Sequence, residues 1–277
     1  MNHASPRNAD QAPRFWRDDA LPFIEARAIA DGRQVCYSRH SHEHFSIGAI
    51  TAGRSTYLHE QSSFEVTAGT VVLMNPGDVH ACNPIDDQPW SYRMLYVETP
   101  WLTDLQHQLG FAADLDFRRF SSTHSTDIQL FNGLNQLYEV LVDEQASTLH
   151  KHSTAVAFFS EVQTRLNPAA VEVAEPNFKL ERAADYIREH CTQALKLEDI
   201  CAAAQLSASY LIRAFKLRYG MTPHAYLVNR RIQFARQQLR QGRLIADVAL
   251  EAGFADQAHF QRAFKQHLAA TPGQYRG

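Results

Sequence analysis

The sequence has few cysteines and no long apolar run. The four cysteines are far apart, with no Cys-x-x-Cys pair, at Cys36, Cys82, Cys191 and Cys201. This spacing excludes a disulfide framework and a structural zinc site, and it fits a reducing compartment. No stretch approaches the roughly 20 apolar residues that cross a bilayer, and the N-terminal segment is polar. We therefore expect neither a membrane protein nor a secreted one.

The small net charge of −3 conceals an asymmetry along the chain. Residues 178–277 hold 15 lysines and arginines against 8 acidic residues, whereas residues 1–177 hold 12 against 22. A length of 277 residues predicts about two domains of roughly 100–200 residues each. The charge difference indicates two functions, with the basic half as the candidate for binding a polyanion. A chance asymmetry would look the same, so charge alone decides little.

The segment 167–177, NPAAVEVAEPN, divides the chain. Its two prolines and small residues predict a linker over residues 167–178, between one domain at 1–166 and another at 179–277. Before the linker, apolar residues recur every three to four positions from 126 to 166 and predict a helical hairpin. The hairpin either joins two copies of the chain as a homodimer or packs on the sheet of its own domain.

Short runs of β-branched and aromatic residues, separated by glycine turns, occupy the region from about residue 23 to residue 97. The runs are Phe45–Thr51, Ser55–His59, Phe64–Val66, Thr70–Met74 and Tyr92–Val97. This pattern predicts an antiparallel sandwich or barrel. After residue 179 nothing resembles a strand. The expected fold class is therefore α+β, with an N-terminal antiparallel sandwich or barrel and a helical hairpin, followed by an all-α domain.

The basic half contains a repeat. The segment Arg213–Lys216, Arg-Ala-Phe-Lys, recurs as Arg262–Lys265, and Thr222-Pro223 recurs as Thr271-Pro272 at the same separation of 49 residues. A shared offset between separate anchors marks one supersecondary unit that is used twice.

Each copy of the repeat predicts a helix-turn-helix. A short Ala-rich helix and a turn precede Ser207 or Asp256, which are suitable N-caps for a second helix. Such a second helix fits the major groove of DNA. Residues 224–240 carry a regular apolar stripe and predict a helix that links the two units.

The stretch Gly253–Arg276, GFADQAHFQRAFKQHLAATPGQYR, closely resembles the second helix-turn-helix of the AraC/XylS transcription regulators, and residues 179–277 resemble their DNA-binding domain. The resemblance implies that the outward side chains of each second helix contact DNA. They are Ser209, Ile212, Arg213 and Lys216 in the first copy, and Gln257, Ala258, His259, Gln261, Arg262 and Lys265 in the second. Amide and guanidinium groups are the best candidates, since they pair bidentately with adenine and guanine. Ala269 replaces the family's usual glycine, which predicts a strained helix end.

The segments 39–44 and 69–80 resemble the two motifs of a cupin barrel, the effector sensor of many AraC-type regulators. His40, His42 and His80 match the histidines of metal cupins, but the position of the carboxylate ligand falls at or next to Ser46. Three imidazoles could still hold zinc or iron. We expect no metal and no other cofactor, and instead an effector pocket lined by His40, His42, Tyr57, His80, Arg93 and Tyr96.

The sequence therefore predicts a cytoplasmic, nucleoid-associated bacterial transcription regulator rather than an enzyme. The expected partners are promoter DNA, a small-molecule effector, RNA polymerase and a second copy of the chain. Two alternatives stay open, namely a metal-dependent cupin enzyme and a regulator whose cupin is only a dimerisation scaffold. The effector, the operator, and the choice between activation and repression are not fixed by the residues.

Overall fold

A computed structural model describes residues 13–33, 35–112, 116–166 and 177–276. The N-terminal part, residues 13–166, contains all the strands found in these ranges, and the helical part, residues 177–276, contains only helices. The predicted linker lies outside the described residues except for its last two positions.

The five predicted strands are confirmed, and the structure adds four. The full set is β1 (Arg14–Trp16), β2 (Ile24–Ile29), β3 (Phe45–Ala52), β4 (Arg54–His59), β5 (Ser62–Thr67), β6 (Val71–Met74), β7 (His80–Pro84), β8 (Ser91–Val97) and β9 (His124–Ser125). The sequence analysis missed β2 because its segment IEARAI carries two charged side chains. It missed β7 because the segment HACNP is short and largely polar.

The strands form two antiparallel sheets that face each other. One sheet has the order β1-β2-β8-β3-β6-β9 and the other has the order β5-β4-β7. In the described residues the two sheets are not joined into a closed barrel, and a single bridge between His40 and His80 lies at the rim. The architecture is the expected antiparallel N-terminal fold, flattened towards a sandwich.

Strand alternation gives the large sheet two different apolar faces. On β8, Leu95 and Val97 belong to the core beneath the helices, whereas Tyr92 and Met94 belong to the core between the sheets. Successive side chains of a strand point to opposite faces of the sheet. A shift of the strand register by one residue would therefore move each side chain from one core to the other. The effector pocket can therefore contain only one of the two sets.

Three helices cover the outer face of the large sheet. They are α1 (Thr99–Gln108), α2 (Ile128–Val142) and α3 (Thr148–Leu166). The last two form the predicted hairpin, and its buried side chains share one core with the sheet, as Leu134 and Phe159 show. The hairpin thus packs on its own sheet. Its outer surface still exposes Ile128 and Leu149.

The helical part contains two helix-turn-helix units. The helices are α4 (Phe178–Glu189), α5 (Leu197–Ala204), α6 (Ala208–Tyr219), α7 (Pro223–Arg240), α8 (Ile245–Glu251), α9 (Gln257–Leu268) and α10 (Pro272–Arg276). Ser207 and Asp256 occupy the predicted N-cap positions, and the Asp256 carboxylate accepts a hydrogen bond from the His259 backbone N–H at 2.6 Å. Among the helices described, none is long and apolar enough to cross a membrane.

Candidate DNA interface and effector pocket

The helix α6 has one buried face and one exposed face. Leu211 and Phe215, four residues apart, are completely buried in a core shared with α4, α5 and α7. All four sequence-predicted DNA-contacting residues of this helix lie on the exposed side, namely Ser209, Ile212, Arg213 and Lys216. The helix therefore presents polar and cationic groups in the way that groove recognition requires.

The helix α9 repeats this arrangement with a richer set of side chains. Phe260 and Phe264 are buried, and the exposed side carries Gln257, Ala258, Gln261, Arg262 and Lys265. His259 differs, because it is half-buried with its ring 5.3 Å from that of Phe254. Its imidazole is thus partly committed to packing within the unit.

The cations on the two helices are available for DNA. Within the described part of the chain, Arg213, Lys216, Arg262 and Lys265 form no ion pair. Exposed, unpaired cations can exchange condensed counterions for contacts with phosphate, or pair with guanine in the groove.

The two units are fixed to each other through a close backbone approach. Gly253 ends α8 with φ of +81°, and a Cβ there would lie 2.8 Å from the carbonyl oxygen of Thr192 and 3.0 Å from the Arg231 guanidinium. Arg231 in turn donates hydrogen bonds to the carbonyls of Cys191 and Gln193. Only glycine fits this position without displacing the loop that follows α4.

A small cavity, here called the sheet cavity, lies between the two sheets. Its volume is about 30 Å³, which is room for two or three water molecules at most. Its lining is mainly apolar and aromatic and comprises Tyr37, His40, Gly48, Ile50, Val72, Met74, His80, Cys82, Trp90, Tyr92, Met94 and Tyr96. A metabolite can enter only if the cavity widens.

The three predicted histidines come together at the rim of the sheet cavity. The ring centroid of His80 lies 4.4 Å from that of His40 and 4.9 Å from that of His42. The Nδ1 atom of His80 contacts the carbonyl oxygen of Asp78 at 2.9 Å, and that of His40 contacts the carbonyl of Ser38 at 2.8 Å. Both contacts require a proton on Nδ1, which leaves Nε2 as the acceptor.

Burial favours the neutral form of these imidazoles, of which His40 is the least buried. Removal from water lowers the pKa of His80 to about 4 and holds the pKa of His40 and His42 well below the usual value, helped by the neighbouring imidazoles. The position expected for a carboxylate ligand belongs to Ser46, whose Oγ lies 3.2 Å from Nε2 of His42. No group of three or more potential ligands in the described residues has an arrangement suited to a metal ion, so these residues do not fit a metal cupin.

Two other residues predicted to line the pocket have different positions. The Tyr57 hydroxyl donates a hydrogen bond to the Leu73 carbonyl at 2.6 Å, so its side chain belongs to the wall of the core. Arg93 lies on the opposite face of the sheet, where it contacts Asn135 at 3.0 Å and pairs with Glu139 at 2.5 Å. Arg93 and Tyr96 are three positions apart on β8. Side chains that are an odd number of positions apart on a strand point to opposite faces, so Arg93 cannot share the face of Tyr96.

A second space, here called the junction cavity, lies where the helical part meets the N-terminal part. Its volume is about 20 Å³ and its lining comprises Phe15, Glu25, Arg27, His40, His42, Tyr96, Gln233, Arg236, His267 and Leu268. The buried Glu25 carboxylate pairs with Arg17 at 2.7 Å and lies 3.8 Å from Arg236. Burial alone would raise the pKa of Glu25, but Arg236 and Arg17 outweigh it and the pKa is lowered.

The helix α7 attaches the helical part to the histidine segment. Asn229 is almost completely buried, and its amide donates to the Ser41 hydroxyl at 3.2 Å. Gln233 donates to the Ser41 carbonyl at 3.0 Å, and Arg230 pairs with Glu43 at 2.7 Å. The wall of the effector pocket and the helix between the two helix-turn-helix units are therefore in direct contact.

Comparison with known proteins identifies both parts of the chain. The family model described as an AraC-like ligand binding domain matches residues 23–157, and the model described as a helix-turn-helix domain matches residues 200–277. The chain belongs to the AraC family of transcription regulators.

Several curated relatives of this AraC-family regulator align with most of its length. It is 26% identical to the HTH-type transcriptional regulator YbfI of Bacillus subtilis over 225 residues, which are 80% of this chain and 81% of the relative. It is 23% identical to the lactose operon transcription activator of Staphylococcus xylosus, covering 82% of this chain and 81% of that one. These relatives are regulators, so the prediction of a DNA-binding regulator rather than an enzyme is confirmed.

The solved structures show the same fold. An apo form of ToxT from Vibrio cholerae superposes with a TM-score of 0.58 at 17% identity, covering 91% of this chain and 96% of ToxT. A ToxT structure bound to an unsaturated fatty acid gives a TM-score of 0.56 at 17% identity, with 92% and 95% covered. The arrangement of sheets followed by a double helix-turn-helix is thus shared over nearly the whole length.

The sequence analysis missed the residues at the junction of this AraC-family protein. Glu25, Arg27, Asn229, Arg236 and His267 come from two distant stretches, and nothing in the local pattern relates them. One signal was available, because Glu25 and Arg27 have the same parity on a strand and are unusual in a buried position.

Proposed function

We propose that this regulator binds promoter DNA in the cytoplasm through α6 and α9 and acts on RNA polymerase there. The base-contacting residues would be those on the exposed faces of the two helices, with Arg213, Gln257, Gln261 and Arg262 reading base edges. The observation that carries the proposal is the same two-faced pattern on both helices. Leu211 and Phe215 on α6 and Phe260 and Phe264 on α9 are buried, whereas all the predicted DNA-contacting side chains except His259 are exposed. A homodimer joined through the outer surface of α2 and α3 would place two such modules on one promoter.

We further propose that a small molecule bound near His40, His42, His80 and Tyr96 controls DNA binding. Support comes from the position of the helical part, which supplies Gln233, Arg236, His267 and Leu268 to the lining of the junction cavity. A ligand that widens this space changes the contact between the two parts, and it thereby shifts the population of docked and undocked forms.

The experiment is operator selection with the purified full-length chain, followed by fluorescence anisotropy on the selected duplex. We expect binding that is specific against a shuffled duplex and that weakens steeply with salt, because phosphate contacts release counterions. Equal affinity for the selected and the shuffled duplex would contradict the proposal. Sedimentation of the free protein tests the dimer separately.

One observation favours a second candidate, in which the N-terminal part is an effector-free scaffold. The sheet cavity is small and its walls are large side chains such as Trp90 and Tyr92. A scaffold would show no thermal stabilisation by any metabolite, whereas a ligand at about 100 times its dissociation constant adds about 2.7 kcal/mol. A thermal-shift screen on the full-length chain therefore separates the two candidates.

A further inference from the structure

Arg27 is a buried cation with unused hydrogen-bonding capacity. Its side chain, on β2, is only 1% exposed, and it lines the junction cavity. Its Nε and Nη2 atoms have no hydrogen-bond partner within the described part of the chain. A guanidinium cannot lose its charge in a protein and carries five N–H donors, so such burial is unfavourable unless an acceptor reaches it.

The charges near Arg27 leave an excess of positive charge. Glu25 is the single acidic residue among the described residues that line the junction cavity. It is already shared between Arg17 and Arg236, at 2.7 Å and 3.8 Å. The lining of the junction cavity therefore carries two guanidinium groups, those of Arg27 and Arg236, against one carboxylate that Arg17 also pairs. This excess of positive charge favours an anionic ligand.

Three aromatic rings lie near the Arg27 guanidinium. The rings of Phe15, Tyr37 and Tyr92 lie 5.3 Å, 5.7 Å and 5.9 Å from its central carbon. Contacts with π faces steady a guanidinium without using its N–H groups. The edge that remains is a planar fork, whose geometry matches the two oxygens of a carboxylate.

An apolar space adjoins the junction cavity that Arg27 lines. His40 and Tyr96 line both the junction cavity and the sheet cavity, so the two spaces adjoin. The walls of the sheet cavity include Ile50, Met74 and Met94. A ligand that spans both spaces would therefore have a charged end and a compact apolar body.

We propose that the effector is a small organic carboxylate whose carboxylate group binds Arg27 and whose apolar body occupies a widened sheet cavity. This assignment rests on the proposed function, in which a small molecule binds at this site. The ligand carboxylate accepts the hydrogen bonds that Nε and Nη2 of Arg27 leave unmade, while Arg236 stays paired with Glu25.

The test compares probes that differ only in the polar end. One series is hexanoate, hexanol and hexylamine, and the other is benzoate, benzyl alcohol and benzylamine, each titrated into the full-length protein by calorimetry and thermal shift. We expect at least one carboxylate to bind at millimolar concentration, at least about tenfold more tightly than its alcohol, because a charge-assisted bidentate contact is lost in the alcohol. The amines should bind more weakly still, since the site is cationic.

Two substitutions locate the effect. Arg27→Met should raise the thermal midpoint of the free protein, since an unpartnered buried cation is removed, and it should abolish the preference for carboxylate. Arg93→Met is the matched control, because Arg93 lies on the same sheet but on the opposite face, beside Asn135 and Glu139. It should leave the preference unchanged. If Arg27→Met does not fold, Arg27→Lys serves, and it should retain the preference with a lower affinity.

Equal affinity for acid and alcohol in the unsubstituted protein would overturn the proposal, as would a preference that survives in Arg27→Met or disappears in Arg93→Met. Failure of both carboxylates to bind would overturn it as well. Operator binding, measured on the same preparations, distinguishes this outcome from failure of the proposed function. If the protein still binds its operator, only the assignment of a carboxylate effector is wrong. If it does not bind the operator, the proposed function as a DNA-binding regulator is contradicted as well.

Discussion

Arginine has three different roles in this protein, and burial separates them. Arg262 is exposed on α9, where it can contact a base. Arg236 is 6% exposed, lies 3.8 Å from Glu25 of the N-terminal part and donates a hydrogen bond to the Tyr275 hydroxyl of its own part. Arg27 is buried at the cavity with two nitrogens unpartnered in the described structure. Docking is therefore a role that the contacts of Arg236 show, whereas recognition of DNA by Arg262 and ligand binding by Arg27 are the roles proposed above.

Substitution of Arg262 tests its role in base recognition. We expect Arg262→Ala to weaken binding to the selected operator by about 1–3 kcal/mol, because a bidentate contact with guanine is lost. The fold should be unaffected, since the side chain is exposed. Anisotropy on the selected and shuffled duplexes measures the change, and it should be smaller on the shuffled one.

Arg188→Ala is the control for this measurement. Arg188 is an exposed arginine on α4, outside both helix-turn-helix units, where it pairs with Asp185. The Arg188→Ala substitution should leave the affinity for the selected operator unchanged within experimental error. An Arg262→Ala protein that is folded and binds the operator as tightly as the original would rule out base contact by Arg262.

The helix α7 supplies most of the described side-chain contacts between the helical part and the N-terminal part. It links the two helix-turn-helix units, and it also carries Asn229, Arg230, Gln233 and Arg236 towards the N-terminal part. The sequence analysis predicted it only as a helix that links the two units. The structure instead uses Arg230 and Arg236 for docking, and Arg231 for packing of the units.

Loss of the Asn229 side chain should loosen the docked form. Asn229→Ala leaves the buried Ser41 without a partner amide, at a cost of about 1–3 kcal/mol. We expect amide hydrogen exchange at Ser38 and Ser41 to accelerate by about tenfold or more, because both amides donate to the helical part. Gln237→Ala, an exposed position on the same helix, should leave both rates unchanged. Unaltered rates in Asn229→Ala would show that this pair does not hold the parts together.

Much of the fold could be predicted because it follows from local patterns. The β-branched and aromatic runs of β3 to β6 and β8 and the period near 3.6 in α2 and α3 are patterns of neighbouring residues, and the repeat at 49 residues is visible in the sequence itself. The N-caps at Ser207 and Asp256 were predictable for the same reason. Helix α9 was the easiest element to predict, since the preceding turn, the N-cap and the apolar spacing all indicate a helix over the same residues.

The candidate site was predictable only in part, because it depends on contacts between distant stretches. The histidines were found through the resemblance to a cupin, and His40, His42 and His80 do meet. Arg93 was placed in the pocket by residue type, although its parity on β8 is opposite to that of Tyr96. The junction joins Glu25 to Arg236, more than 200 residues away, and no local rule reaches so far.

The whole chain should be sensitive to acid through its buried imidazoles. His80 is neutral in the fold, with a pKa of about 4, against about 6.5 when exposed. A lowered folded pKa means that its stabilising contribution is complete above pH 6.5 and is lost as the pH falls towards 4. The pKa values of His40, His42 and His267 are lowered too, also first by burial, so they act in the same direction.

We therefore expect the free energy of unfolding to fall by about 3 kcal/mol for His80 alone between pH 6.5 and pH 4. Urea denaturation at a series of pH values measures it. In His80→Gln the slope over this interval should become shallower, whatever the substitution does to stability at pH 7. A slope that stays the same would show that His80 is already charged, or solvated, in the fold.

Both recognition helices end against the N-terminal part. A Cβ at Gly220, the cap of α6, would lie 3.2 Å from Val79, and the backbone N–H of Ser38 donates to the Gln266 carbonyl near the end of α9. Ala269, which caps α9 at φ of +49°, packs against the core between the sheets, so its methyl contact offsets strain that glycine would avoid.

Through these two contacts the N-terminal part can influence the distance between the two helices that are proposed to read DNA. Adjacent major grooves on one side of a duplex are about 34 Å apart, so a protein that reads two of them must hold a fixed pitch. Because both helix ends contact the N-terminal part, that part braces the separation of α6 and α9 that α7 and the Gly253 contact establish within the helical part. A ligand that widens the cavities of the N-terminal part would change the distance between α6 and α9. The same ligand would then change binding to different extents at promoters whose half-sites are spaced differently.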